Sequence, residues 1–185
     1  MKKLDNKNKL SIYEIAIFAV FGALMFALKF LMQVFPNIHP LALFIAALTI
    51  CYGVKALFPL YTYVLLDGII NGFALWWIPY LYIFLPLWFE VLLLSKYLGE
   101  KLSKKYMLLI YMAVLGFNGL TFGIMYAPMQ ALFFGLNFQG MISWIIAGIP
   151  FDLIHGISNT IIGILVIPLS SFILKIKNHK FRQGE

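Results

Sequence analysis

Charge is what this sequence has least of. Only 11% of its 185 residues are Asp, Glu, Lys or Arg, against 63% hydrophobic, and there is one cysteine. So few charges cannot coat the surface of an ordinary soluble domain of this length. The lone thiol, Cys51 in an apolar run, excludes a disulfide framework and a thiolate metal cluster, and reads as a small core residue. No Walker lysine loop, GxSxG elbow or HExxH helix occurs, so nucleotide hydrolysis must come from another chain. Ser158 stands three residues from His155, but about 60° away around a helix, which leaves an intramembrane hydrolase without its constellation. His39, Asp152 and His155 show no metal-ligand spacing. We expect no enzyme, no metal and no cofactor.

Long apolar runs are what the chain does have. Mean hydropathy is +0.93, and the expectation is an all-α integral membrane domain of six transmembrane helices. It occupies residues 11–176, between tails at 1–10 and 177–185. No small-residue cleavage site closes the first apolar run, which therefore reads as a span and not as a removed leader. The net charge of +7 does not point to nucleic acid, because every basic residue except Lys29 lies at a segment end. Lys2, Lys3, Lys7 and Lys9 precede span one, and Lys55 separates spans two and three. Lys96, Lys101, Lys104 and Lys105 separate four and five, and Lys175, Lys177, Lys180 and Arg182 close the chain. The other connectors have no Lys or Arg, so the positive-inside rule places both termini in the cytoplasm of a multi-pass cell-membrane protein.

Polar residues inside such spans must face protein or a wet cavity, since lipid exposure costs an ionisable side chain about 2.5–3.5 kcal/mol or more. The final stretch, Gly140 to Ile176, carries Asp152, His155 and Asn159 within about a 60° arc of a helix. Gly148, Gly156 and Gly163 share that stripe, making the face both polar and thin. We expect it to line a small-molecule site. Tyr63, Asp67 and Asn71 repeat the pattern in span three, and Tyr111, Asn118 and Met125 in span five. Glu90 lies too deep in span four to be an interfacial charge. Lys29 either snorkels to an interface or turns inward, where it needs an anion. Three intramembrane acids (Asp67, Glu90, Asp152) against one base suggest a solvated pocket. Trp76 and Tyr80 belong either to an interfacial belt or to an aromatic wall for a flat ligand.

Two further expectations concern shape. The segment Ala127–Gly140 lacks Lys and Arg but is rich in Phe and Met, and reads as an apolar loop folded over a site as a lid. The 34 residues from Met141 to Leu174 would measure about 51 Å as one helix, so Pro150 should bend it or divide it. Ala19, Ala23 and Ala27 form a small-residue stripe on span one, for packing inside the bundle or for another chain's helix.

Taken together, GIPFDLIHGISNT leading into the last span, the stretches HPLALFIAAL and WWIPYLY, six short-connected helices and the alanine stripe resemble one known family. The chain is similar, over essentially its whole length, to the substrate-binding S component of an energy-coupling-factor (ECF) transporter. The resemblance implies capture of a vitamin or similar micronutrient from the outer side. It also implies delivery through a transmembrane T component with two ATP-binding cassette subunits. It assigns Ala19, Ala23 and Ala27 to the T component, and Glu90, Asn118, Asp152, His155 and Asn159 to the neighbourhood of the ligand. To these the intramembrane positions add Trp76, Tyr80, Asp67 and Lys29 as candidate contacts. A stand-alone secondary transporter of a small polar or aromatic solute is the alternative, although such carriers commonly show an internal repeat and none is detected here.

Overall fold

The computed structural model describes residues 10–181, with side chains through Asn178. The basic cluster Lys2–Lys9, the Lys180 side chain and Arg182 lie outside the described residues. Eight α-helices carry the fold: α1 (Ile12–Leu31), α2 (Leu41–Tyr52), α3 (Leu57–Asn71), α4 (Leu85–Leu98), α5 (Lys104–Leu120), α6 (Phe122–Phe134), α7 (Phe138–Ile162) and α8 (Val166–Phe181). No strand occurs among the described residues. Helix α8 continues to Phe181, so the stretch from 177 that is expected to begin the tail is helical as far as it is described. Five helical runs are long and apolar enough to cross a membrane. The outer surface carries Ile, Leu and Phe side chains throughout (Ile161 is 62% exposed), as a lipid-facing surface requires. This architecture is compatible with a multi-pass membrane protein.

The second run, Leu41–Asn71, is not one rod. A 3-10 turn at Gly53–Ala56 divides it, and Gly53 has φ +59°, a conformation that costs a side chain-bearing residue energy but not glycine. Tyr52 packs edge-on against Phe18 and Lys55 pairs with Glu14 at 2.7 Å, so α2 ends beside the start of α1. Farther along, Lys29 pairs with Asp67 at 2.7 Å. Helix α3 therefore runs alongside α1 in the same direction, and α2 runs between their ends in the opposite one. α1 itself starts at a capping box, with Glu14 N–H donating to Ser11 Oγ and Ser11 N–H donating back to Glu14, which satisfies two otherwise orphaned donors.

Helix α2 is the centre of the bundle, with eleven of its twelve residues buried. A helix apolar on every face is stable only when surrounded, and α4 and α8 flank it, with α1, α5 and α7 closing the ring. Its lower end is tied to α8, where Cys51 Sγ donates to Ser170 O and Lys177 Nζ donates to Cys51 O at 2.7 Å. Lys55, Lys104 and Lys177 thus gather at one end of the bundle, and His39 stands at the other.

On α1 the two faces separate cleanly. Phe18, Gly22 and Met25 are buried, while Ala19, Ala23 and Ala27 are exposed. The alanine stripe is an outer face and not internal packing. On the opposite side of the molecule α5 and α7 make the most extensive helix contact, because glycines meet there. A Cβ on Gly119 would lie 2.8 Å from backbone atoms of Gly156. Gly163 likewise abuts Met112, whereas Gly148 meets nothing and is not part of this thin seam.

Two expectations are corrected. Residues 127–140 are not a loop: α6 runs to Phe134, and only Gly135–Asn137 turn before α7 begins. Glycine in the left-handed region closes α6, and Asn137 Oδ1 accepts from Gly140 N–H to start α7, so the punctuation lies at the end of the segment and not along it. Pro150 does not divide the last helix either. The helix passes through it, and the irregularity is a 3-10 turn at Gly163–Leu165. There the ring of Pro168 would clash with the carbonyl four residues earlier, at Ile164.

Candidate functional site

At the end of the bundle away from the basic residues, α2, α5 and α7 leave a narrow cavity. Its polar lining is His39, Asn118, His155 and Asn159, and its apolar lining includes Leu41, Ile45, Phe84 and Phe122. Local sequence explains the convergence. His155 and Asn159 are one helical turn apart and so share a face. The Gly119–Gly156 contact brings the neighbouring Asn118 and His155 to the same level. His39 comes from the turn before α2. That turn is pinned to α7 by Asn37 Nδ2 donating to Phe151 O and Ser158 Oγ donating to Asn37 O.

Three polar atoms here are buried without any hydrogen-bond partner: His39 Nδ1, His155 Nδ1 and Asn159 Oδ1. His155 is 5% exposed and Asn159 2%. The two imidazoles meet at 70° with centroids 5.1 Å apart, and Phe122 packs on His155 at 5.0 Å. Burial, with the neighbouring His155 and Lys29 charges, holds the His39 imidazole down to about 3, so it is neutral at physiological pH. Unsatisfied buried polar groups cost about 1–3 kcal/mol each and are rare in native proteins. Three facing one cavity leave polar groups free to bond an occupant, whether an ordered water or a small solute. Only about 20 Å³ of the space between the walls is free to a water molecule. That holds a water or two; a larger guest must part the walls.

The sequence-predicted residues fall into two adjoining groups and one outlier. Asn118, His155 and Asn159 line the cavity, with Glu90 behind them accepting from Asn118 Nδ2 at 2.6 Å. Lys29, Asp67, Trp76 and Tyr80 form the second group. Asp67 is 0% exposed and receives Lys29 Nζ at 2.7 Å and Asn71 Nδ2 at 2.8 Å. The Lys29 ammonium lies 4.9 Å from the Tyr80 ring, 5.6 Å from Tyr63 and 6.0 Å from Trp76. Lys29 therefore does not snorkel; it turns inward to an anion and an aromatic cage. Phe84 separates the groups, packing on Tyr63 and Tyr80 while lining the cavity. Trp76 and Tyr80 meet edge-on and tie to α6 through Tyr126 Oη donating to Trp76 O.

Asp152 is the outlier. Both its oxygens accept from Gly123 N–H at 3.1 Å, and a Cβ on Gly123 would collide with them. This carboxylate caps the start of α6 from a neighbouring helix, which accounts for the break between α5 and α6 at Thr121. It does not line the cavity. Of the three intramembrane acids only Asp67 has a cationic partner among the described residues, Lys29; Glu90 and Asp152 accept from neutral amide groups. Asp152 also stays apart from the two histidines, and among the described residues no three His, Cys, Asp or Glu side chains gather. Sequence reasoning left His39 out of the site. Its only signal was a histidine before Pro40 at the mouth of the most buried helix.

Fold and site together define an all-helical bundle, with helices long and apolar enough to cross a membrane, that holds near one end a small cavity lined by no Asp, Glu, Lys or Arg. No protein-family model matches the chain, and no curated protein or solved structure is significantly similar to it.

Proposed function

We propose that this chain is the substrate-binding S component of an ECF-type importer for a vitamin or similar micronutrient. It crosses the cell membrane six times with both termini in the cytoplasm. The observation that carries this reading is the cavity with its three partnerless polar atoms. With Lys55, Lys104 and Lys177 at the opposite end, the positive-inside rule turns the cavity outward, where a scarce solute arrives. The six crossings follow if the apolar run divided at Gly53–Ala56 is taken as two of them and the other four candidate spans as one each. The exposed alanines of α1 offer a close-approach surface for a T component, which with two ATPase subunits would drive release inward.

The test is thermal stabilisation of the purified protein, without ATP, by members of a panel of water-soluble vitamins and nucleobases. Asn159→Leu and His155→Phe should each weaken binding of the stabilising compound about tenfold or more, since one hydrogen bond in a dry site is worth about 1–3 kcal/mol. Full affinity in both variants would remove the cavity from the argument. Ala19→Phe with Ala23→Phe should abolish cellular uptake and co-purification of a T component while leaving ligand affinity within about twofold. A variant that still transports would favour a carrier working alone.

A further inference from the structure

No Asp, Glu, Lys or Arg lines the cavity. The nearby ions are all engaged: Asp67 holds Lys29 and Asn71, Asp152 caps α6, and Glu90 takes one amide hydrogen of Asn118. The other hydrogen of that amide goes to Val114 O, leaving Asn118 only its oxygen to offer. The nearest cation, Lys29, is neutralised by Asp67 and lies beyond the Phe84 ring. A charged group entering this space would meet no counter-ion, and an unpaired buried charge costs far more than a neutral polar group that finds hydrogen bonds. The groups that do wait are neutral. Asn159 Oδ1 can only accept, whereas each neutral imidazole can present either a donor or an acceptor according to its tautomer. The apolar walls, Leu41, Ile45, Ile83, Phe84, Leu87 and Phe122, stand close together with about 20 Å³ free between them, so a ring enters only as they part.

We infer that the solute taken by this cavity is electrically neutral: a compact, flat, single-ring compound with apolar faces and one edge bearing both hydrogen-bond donors and acceptors. Carboxylate and ammonium compounds are excluded. The inference rests on the proposed binding function and adds the charge class of its substrate. Burial that keeps His39 uncharged supports it, because an anion gains no partner there.

The experiment uses the full chain in detergent micelles without ATP. A library of several hundred single-ring fragments is screened by thermal shift, with neutral, anionic and cationic isosteres represented equally. One such triad is nicotinamide, nicotinate and 3-aminomethylpyridine. Every neutral hit should bind at least tenfold more tightly than its ionised isosteres. Asn159→Asp, which puts a carboxylate in the cavity, should reverse that order in favour of the ammonium isostere. Asn118→Asp combined with Glu90→Gln, which removes the carboxylate that Asn118 faces, serves the same purpose should the first variant not fold. Preference for ionised members in the parent protein would overturn the charge class while leaving the binding function intact. An unchanged preference in a folded Asp variant would overturn the assignment to this cavity. No hit in any charge class would overturn the binding function and this inference together.

Discussion

Asp67→Leu should destabilise this protein by about 3–5 kcal/mol, the usual consequence of removing one member of a buried ion pair. Asp67 is fully buried and Lys29 is mostly so. With the carboxylate gone, the ammonium keeps its aromatic cage but loses its only counter-charge among the described residues, inside a protein read as embedded in lipid. Restoring neutrality should restore stability: Lys29→Met with Asp67→Leu should recover most of the loss, because an apolar pair of similar volume needs no counter-ion. Unfolding in micelles, read as a double-mutant cycle, measures the coupling directly. A single variant within about 0.5 kcal/mol of the parent would show that water reaches the pair.

Gly119→Leu should be damaging in a different way, abolishing ligand binding as well as lowering the unfolding midpoint. The added Cβ would lie 2.8 Å from Cα and N of Gly156 and from the carbonyl carbon of His155. These are backbone atoms and cannot swing aside, so α5 and α7 must separate. Overpacking typically costs about 1–3 kcal/mol and sometimes more. The separation also pulls Asn118 away from His155, the residues adjoining the contact on each helix. Gly148→Ala is the control: its Cβ meets nothing, and the change should be neutral or slightly stabilising. Binding retained in a folded Gly119→Leu protein would mean that the site does not depend on this seam.

Periodicity made a good part of the site visible in advance. His155 and Asn159, one turn apart in an apolar helix, had to face something other than lipid, and they face the cavity. Lys29 and Asp67 are buried for the same reason, and they find each other. Asp152 sits on the same stripe yet serves α6, because spacing along a helix fixes a direction but not which neighbour lies there. The segment 127–140 was misread because an apolar stretch lacking charge looks alike as loop or helix until its caps are located. Pro150 does not divide the helix, because a proline within a helix removes one hydrogen bond, a loss that a packed helix can absorb.

By itself, then, the amino-acid order determined the helical class, the lipid-facing exterior and which polar side chains could not face lipid. These follow from local periodicity and from the cost of charge in hydrocarbon, neither of which needs a partner to be known. Tertiary structure alone decided that α2 is the core, that the acids are already engaged, and that His39 meets His155 across an otherwise apolar space. Those outcomes depend on contacts between residues from 28 (Glu90–Asn118) to 126 (Cys51–Lys177) positions apart, and only the packing of the whole bundle sets them.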